Sequence, residues 1–155
     1  MLYLDTSALV KRYSLEKGSK AVLARFDRDE KIFTSRLSFA EVHSCLGRKF
    51  RAGELASRDL SKAREVLEND WLFSLSILDL DVGTMSAISQ LVEQYDLKAG
   101  DAVHLSAAFW LRDTIRIGKV KGSETESVEF GVADKQLARI ARICGLRIFD
   151  PEALD

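Results

Sequence analysis

The chain has 155 residues, 46% hydrophobic and 30% charged, with 23 lysines and arginines against 24 acids for a net charge of −1. This is the composition of one ordinary globular domain; it excludes a disordered chain, and no apolar run approaches the ~18 residues that cross a membrane. The charge balance also argues against a generally basic nucleic-acid binder, so a polyanionic ligand needs locally gathered basic residues or bound cations.

Only Cys45 and Cys144 are present, far apart in sequence, which supports neither a disulfide framework nor a zinc ribbon; both read as buried thiols. The opening Met1-Leu2-Tyr3-Leu4-Asp5 lacks the basic start, apolar stretch and cleavage site of a secretory signal, so a cytoplasmic chain without membrane association is expected. Short apolar runs alternate with longer helical patterns, which predicts one α/β domain over residues 1–155 with a mainly parallel sheet.

Leu2–Leu4 is too short for anything but a strand, and helices are expected over Ser7–Tyr13 and Ser19–Arg28, followed by a strand at Ile32–Thr34. From Ser38 to Arg51 the residues Phe39, Val42, Leu46 and Phe50 recur at helical spacing. Beyond Gly53 the pattern gives a helix over Ser57–Asn69, a strand over Leu75–Leu80 and a helix over Val82–Tyr95. Asp101–Leu111 is apolar on most sides and reads as a central, buried helix. Arg112–Glu129 is rich in Lys, Arg, Gly, Ser, Thr and Glu and reads as a long exposed loop before a strand at Val128–Val132. A helix over Lys135–Cys144 ends at Gly145, a glycine suited to the C′ position, and Arg147–Phe149 forms the last strand.

Four acids fall at the junctions of this map: Asp5 after the first strand, Glu41 near the start of its helix, Asp101 opening the buried helix, and Asp134 after the fourth strand. In a parallel α/β sheet these junctions share one edge, where ligands bind. Each acid also has a capping explanation, since carboxylates satisfy the free N–H groups of helix starts, and Ser38-Phe39-Ala40-Glu41 fits a capping box. Their joint occurrence points further. Four carboxylates ~5 Å apart at an effective dielectric of ~20 repel by roughly 3 kcal/mol per pair, which requires protonation or cations among them. Oxygen ligands favour hard ions such as Mg²⁺ or Mn²⁺.

Several stretches carry a family resemblance. These are Leu2–Lys11, Thr34-Ser35 through Ser38–Val42, Leu97–Leu105, Ala133–Leu137, and the closing Gly145-Leu146 to Phe149-Asp150-Pro151. In that order and spacing the chain resembles a PIN-domain ribonuclease, most closely a VapC-type toxin of a toxin–antitoxin pair. The resemblance implies a three-layer α/β/α fold in which Asp5, Glu41, Asp101 and Asp134 are the catalytic acids and hold one or two Mg²⁺ or Mn²⁺ ions. It implies hydrolysis of RNA to a 5′-phosphate and a 3′-hydroxyl by a metal-activated water. Ser7, two residues after Asp5, is then expected to hydrogen-bond a site carboxylate or water, or else to serve as an N-cap. A cognate VapB-like antitoxin and homodimerisation are further implications, with Trp71-Leu72-Phe73 either at the dimer surface or in the core. The chain departs from the family at Val132, where a Ser or Thr often stands two residues before the last acid, and in the length of the 112–129 loop.

Other residues carry weaker signals. His104 lies one turn after Asp101 and either touches the site or is hydrogen-bonded inside the fold, whereas His43 points away. Arg112, Arg116, Lys119 and Lys121 form a basic stretch, but Lys11, Arg12, Arg36 and Lys135, closer to the acids, are better placed for RNA phosphates. An aspartyl phosphatase needs a second acid where Ser7 stands, which disfavours it. The remaining rival is a catalytically inactive PIN-like module that binds RNA or protein and keeps its acids only as caps.

Overall fold

The computed structural model describes residues 1–28, 30–117 and 127–154. Five strands, β1 (Leu2–Leu4), β2 (Ile32–Ser35), β3 (Leu75–Leu78), β4 (Glu129–Gly131) and β5 (Arg147–Phe149), form one sheet in the order β3-β2-β1-β4-β5. Every pairing is parallel, with Tyr3 opposite Phe33 on one side and Phe130 on the other. From β1 the chain first steps outward through β2 and β3, then returns to place β4 and β5 on the other side. The reversal leaves a crevice at the C-terminal ends of β1 and β4, the usual ligand position in such sheets.

Alternation along β1 sorts the core into two layers. Leu2 and Leu4 pack with α1 (Thr6–Leu9), α2 (Ser19–Phe26), α3 (Leu37–Arg51) and α4 (Ser57–Phe73). Tyr3 faces the other way, into α5 (Ile88–Gln94), α6 (Ala99–Arg116) and α7 (Lys135–Ile143). The expected three-layer α/β/α arrangement is therefore present, with a wholly parallel sheet. Among the described residues no helix is long and apolar enough to cross a membrane.

Several boundaries differ from the sequence pattern for local reasons. The expected Ser7–Tyr13 helix is one α-turn continued as a 3₁₀ turn over Val10–Arg12. The helix expected from Val82 starts only at Ile88, because Thr84 folds the preceding segment into a turn: its N–H donates to Asp81 Oδ1 at 2.9 Å and its hydroxyl to the Asp79 carbonyl. Strand β3 accordingly stops at Leu78. Helix α4 runs on to Phe73, and α6 runs on to Arg116, taking in the start of the expected loop; residues 118–126 of that loop lie outside the described residues. Strand β4 occupies only Glu129–Gly131. The capping box does not form: Ser38 is already inside α3, bonded to Thr34 Oγ1 at 2.6 Å, and Ser35 Oγ instead accepts the Leu37 N–H. Both cysteines are free and partly exposed rather than buried.

Helix α7 ends as its glycine indicates. Gly145 adopts φ +82°, its N–H reaches the Arg142 carbonyl, and the Leu146 N–H reaches that of Ala141, a Schellman closure. Gly131 serves close packing instead. A Cβ there would lie 2.5 Å from Leu4 Cδ2 and 3.1 Å from Phe149 Cδ1. Gly131→Ala is expected to cost about 1–3 kcal/mol, read as a lower urea midpoint with unchanged m-value.

Candidate active site

Asp5 follows β1 directly and its N–H donates to the Gly131 carbonyl at 3.0 Å, so the last rung of the β1–β4 ladder sets its position. Its Oδ1 accepts the Ala8 N–H at 3.1 Å and the Ser7 hydroxyl at 2.8 Å. Ser7 Oγ in turn accepts the N–H groups of Ala133 at 2.9 Å and Asp134 at 3.2 Å. One hydroxyl therefore joins the first acid to the loop bearing the last, across the crevice. Val132 is wholly buried in the core, so Ser7 supplies polar support near Asp134. Asp134 is exposed and caps α7, its Oδ1 accepting the Leu137 N–H at 2.8 Å.

Glu41 lies in α3, one turn beyond its first residues, and Asp101 in the first turn of α6. Glu41 Oε2 accepts from the Thr6 hydroxyl and from His104 Nε2 at 2.9 Å, while Oε1 extends over α6, where a Cβ on Gly100 would stand 2.6 Å away. All four acids thus come to the same edge of the sheet. Among the described residues, however, no three His, Cys, Asp or Glu side chains are grouped so as to hold an ion as they stand. Glu41 Oε2 and the Oδ1 atoms of Asp5 and Asp134 already accept hydrogen bonds from the protein.

The electrostatics make the edge receptive to a cation. Burial pushes the Asp5 carboxyl up, against the opposing pull of His104 and the Ser7 hydroxyl. Burial, then the Asp134 charge, pushes Asp101 up as well. Glu41 is also penalised by burial, but hydrogen bonds from His104 and Thr6 outweigh it and hold the carboxyl below its ordinary range. Among the described residues no ion pair includes Asp5, Asp101 or Asp134, although Asp5 is only 4% exposed. An oxygen-only donor set with a buried acid that lacks a cationic partner among the described residues fits a hard divalent ion.

An open groove of about 680 Å³ runs from Thr6, Ser7 and Asp134 past Glu41 to Arg48. Glu41, Ser44, Cys45 and Arg48 line it from one face of α3, at the i, i+3, i+4, i+7 spacing legible in the sequence. The basic residues expected near the acids are mostly committed elsewhere. Lys11 is buried between Glu16 at 3.0 Å and Glu152 at 2.8 Å, Arg12 pairs with buried Asp70 at 3.0 Å, and Arg36 pairs with Asp79. Arg112 pairs with Asp113, and Lys119 and Lys121 lie outside the described residues. Arg48, which the charge pattern did not single out, bonds Ser44 Oγ at 2.9 Å and has no carboxylate partner among the described residues.

Residues 2–117 match the PIN domain family. Ribonuclease VapC45 and Ribonuclease VapC49, from two strains of Mycobacterium tuberculosis, are each 29% identical over 113 residues, 73% of this chain and 78% of theirs. In solved structures, a chain of FitAB bound to IR36 DNA superposes with a TM-score of 0.65 at 18% identity, covering 100% of this chain and 98% of the other. A chain of VapBC2 from Rickettsia felis bound to a promoter DNA fragment gives 0.62 at 14% identity, covering 97% and 98%. With its parallel β3-β2-β1-β4-β5 sheet and its acids along one edge, this chain belongs to the PIN-domain family.

Proposed function

We propose that this chain is a metal-dependent endoribonuclease, the toxin of a toxin–antitoxin pair, in which Asp5, Glu41, Asp101 and Asp134 hold Mg²⁺ or Mn²⁺. The observation that carries the reading is Asp5, a buried carboxylate without a cationic partner among the described residues, facing an edge that bears three more acids. The ribonuclease names of the similar mycobacterial proteins support the reaction class. The VapBC and FitAB assemblies support a VapB-like antitoxin as partner.

A bound divalent ion supplies the positive charge that a phosphodiester needs in order to be attacked by water. The protein contributes order. Ser7 and the Ala8 N–H fix Asp5, Ser7 aligns the Asp134 loop with it, and His104 and Thr6 fix Glu41. Burial, then the Asp134 charge, raises the cost of ionising Asp101, which a cation relieves. Arg48, two helical turns or roughly 10 Å from Glu41 along α3, is placed for a phosphate flanking the one attacked.

Homodimerisation is part of the same proposal. Trp71 packs on Phe39, but Leu72 and Phe73 are 72% and 79% exposed at the end of α4, an apolar pair suited to a second copy. Light scattering is expected to show a dimer for the wild type and a monomer for the Leu72→Ser, Phe73→Ser double variant; a wild-type monomer overturns it.

Purified protein is expected to cleave RNA with Mg²⁺ or Mn²⁺, and to fall to background with EDTA or as Asp5→Asn. Cleavage unchanged in both controls refutes the mechanism, and a wild type that binds RNA without cleaving it indicates an inactive module. Added metal at 100 times its dissociation constant is expected to stabilise the wild type by about 2.7 kcal/mol, and Asp101→Asn by less. Arg48→Gln is expected to raise KM for RNA with kcat retained and to reduce the slope of log affinity against log salt by about 1.

A further inference from the structure

His104 is 2% exposed, and both its ring nitrogens are engaged. Nδ1 lies 3.0 Å from the Tyr3 hydroxyl; Nε2 lies 2.9 Å from Glu41 Oε2 and 3.1 Å from Thr6 Oγ1. Tyr3 has no solvent exposure and is stacked on Phe130, with ring centroids 5.6 Å apart. Its buried hydroxyl lies against Nδ1, and the Glu41 carboxylate, an acceptor only, faces Nε2. A neutral ring accepting at Nδ1 carries its own proton on Nε2, pointed at Glu41. On the far side of that carboxylate, the missing side chain of Gly100 leaves the space that Oε1 occupies.

We propose that Tyr3 and His104 are positioning residues that hold the Glu41 carboxylate over Gly100, ready for the metal. The core of the protein thereby sets one acid of the site from beneath: β1 supplies the tyrosine, α6 the histidine and the glycine, and α3 the acid. The proposal rests on the metal-site reading given above. It separates His104 from an ordinary core histidine, whose partners satisfy it without ordering anything else.

The test measures Mn²⁺ affinity by electron paramagnetic resonance in the absence of RNA, together with ¹⁵N shifts of the His104 ring in metal-free protein. Tyr3→Phe, which keeps the stacked ring, and Gly100→Ala, which displaces the carboxylate, are each expected to weaken Mn²⁺ binding ~10-fold or more. Gly100→Ala is also expected to melt no lower than the wild type, since alanine is the better helix former. His104→Gln retains a donor near the Nε2 position and is expected to bind Mn²⁺ within a few-fold of wild type, unlike His104→Leu. The ¹⁵N spectrum should place the proton on Nε2 in the wild type and shift in Tyr3→Phe. Wild-type Mn²⁺ affinity in both Tyr3→Phe and Gly100→Ala, or a proton on Nδ1, overturns the proposal. A wild type that binds no Mn²⁺ instead defeats the metal reading, and the nitrogen shifts still decide whether the tyrosine orders the ring.

Discussion

A carboxylate at the end of the central strand of a parallel sheet must give up much of its water, and Asp5 does so at 4% exposure. The fold offsets this with directed hydrogen bonds from Ser7 and Ala8 while providing no arginine or lysine among the described residues. The same restraint extends along the edge. Lys11 is a buried cation lining the groove, yet Glu16 and Glu152 neutralise it and tie it to the turn at Pro151–Leu154. Lys11, Arg12 and Arg36 are thus spent on structure, and Asp5, Asp101 and Asp134 are left without an ion-pair partner among the described residues.

Much of the fold was legible because β1 to β5 and the longer helices combine short apolar runs with helical spacing, and the acids marked the strand ends. Helix α5 begins later than its apolar pattern indicates, because apolar spacing does not register a side chain that competes for the backbone, as Thr84 does with Asp79 and Asp81. Helix α6 outlasts its apolar pattern, since polar residues dominate beyond Leu111 whereas backbone hydrogen bonding carries the helix to Arg116. The capping box failed for a topological reason. Ser35 ends β2 one residue before Arg36, and it, rather than Ser38, lies within reach of the first free N–H of α3.

The site was legible as four positions but not as an arrangement. Asp5, Glu41, Asp101 and Asp134 stand at one edge, as the strand-end pattern led one to expect, but the direction in which Glu41 turns depends on Tyr3, Thr6 and His104, which are remote in sequence. Strand alternation places Tyr3 on the opposite side from Leu2 and Leu4, beneath α6; its pairing with His104 needed the fold itself. Local charge was the poorer guide. Arg12 and Arg36 lie near the acids in sequence and are bound to Asp70 and Asp79, while Arg48, two turns along α3 from Glu41, lines the groove.

The family match ends at residue 117, but β4 and β5 come later in the chain and fill one side of the sheet. Without them β1 would become a bare edge, its backbone groups open to pairing with any extended segment nearby. A nascent chain that has not yet delivered residues 127–150 therefore has neither its last acid nor a closed central strand. The last acid of the edge and the protection of β1 from stray pairing arrive together, when Ser7 can first grip the returning backbone.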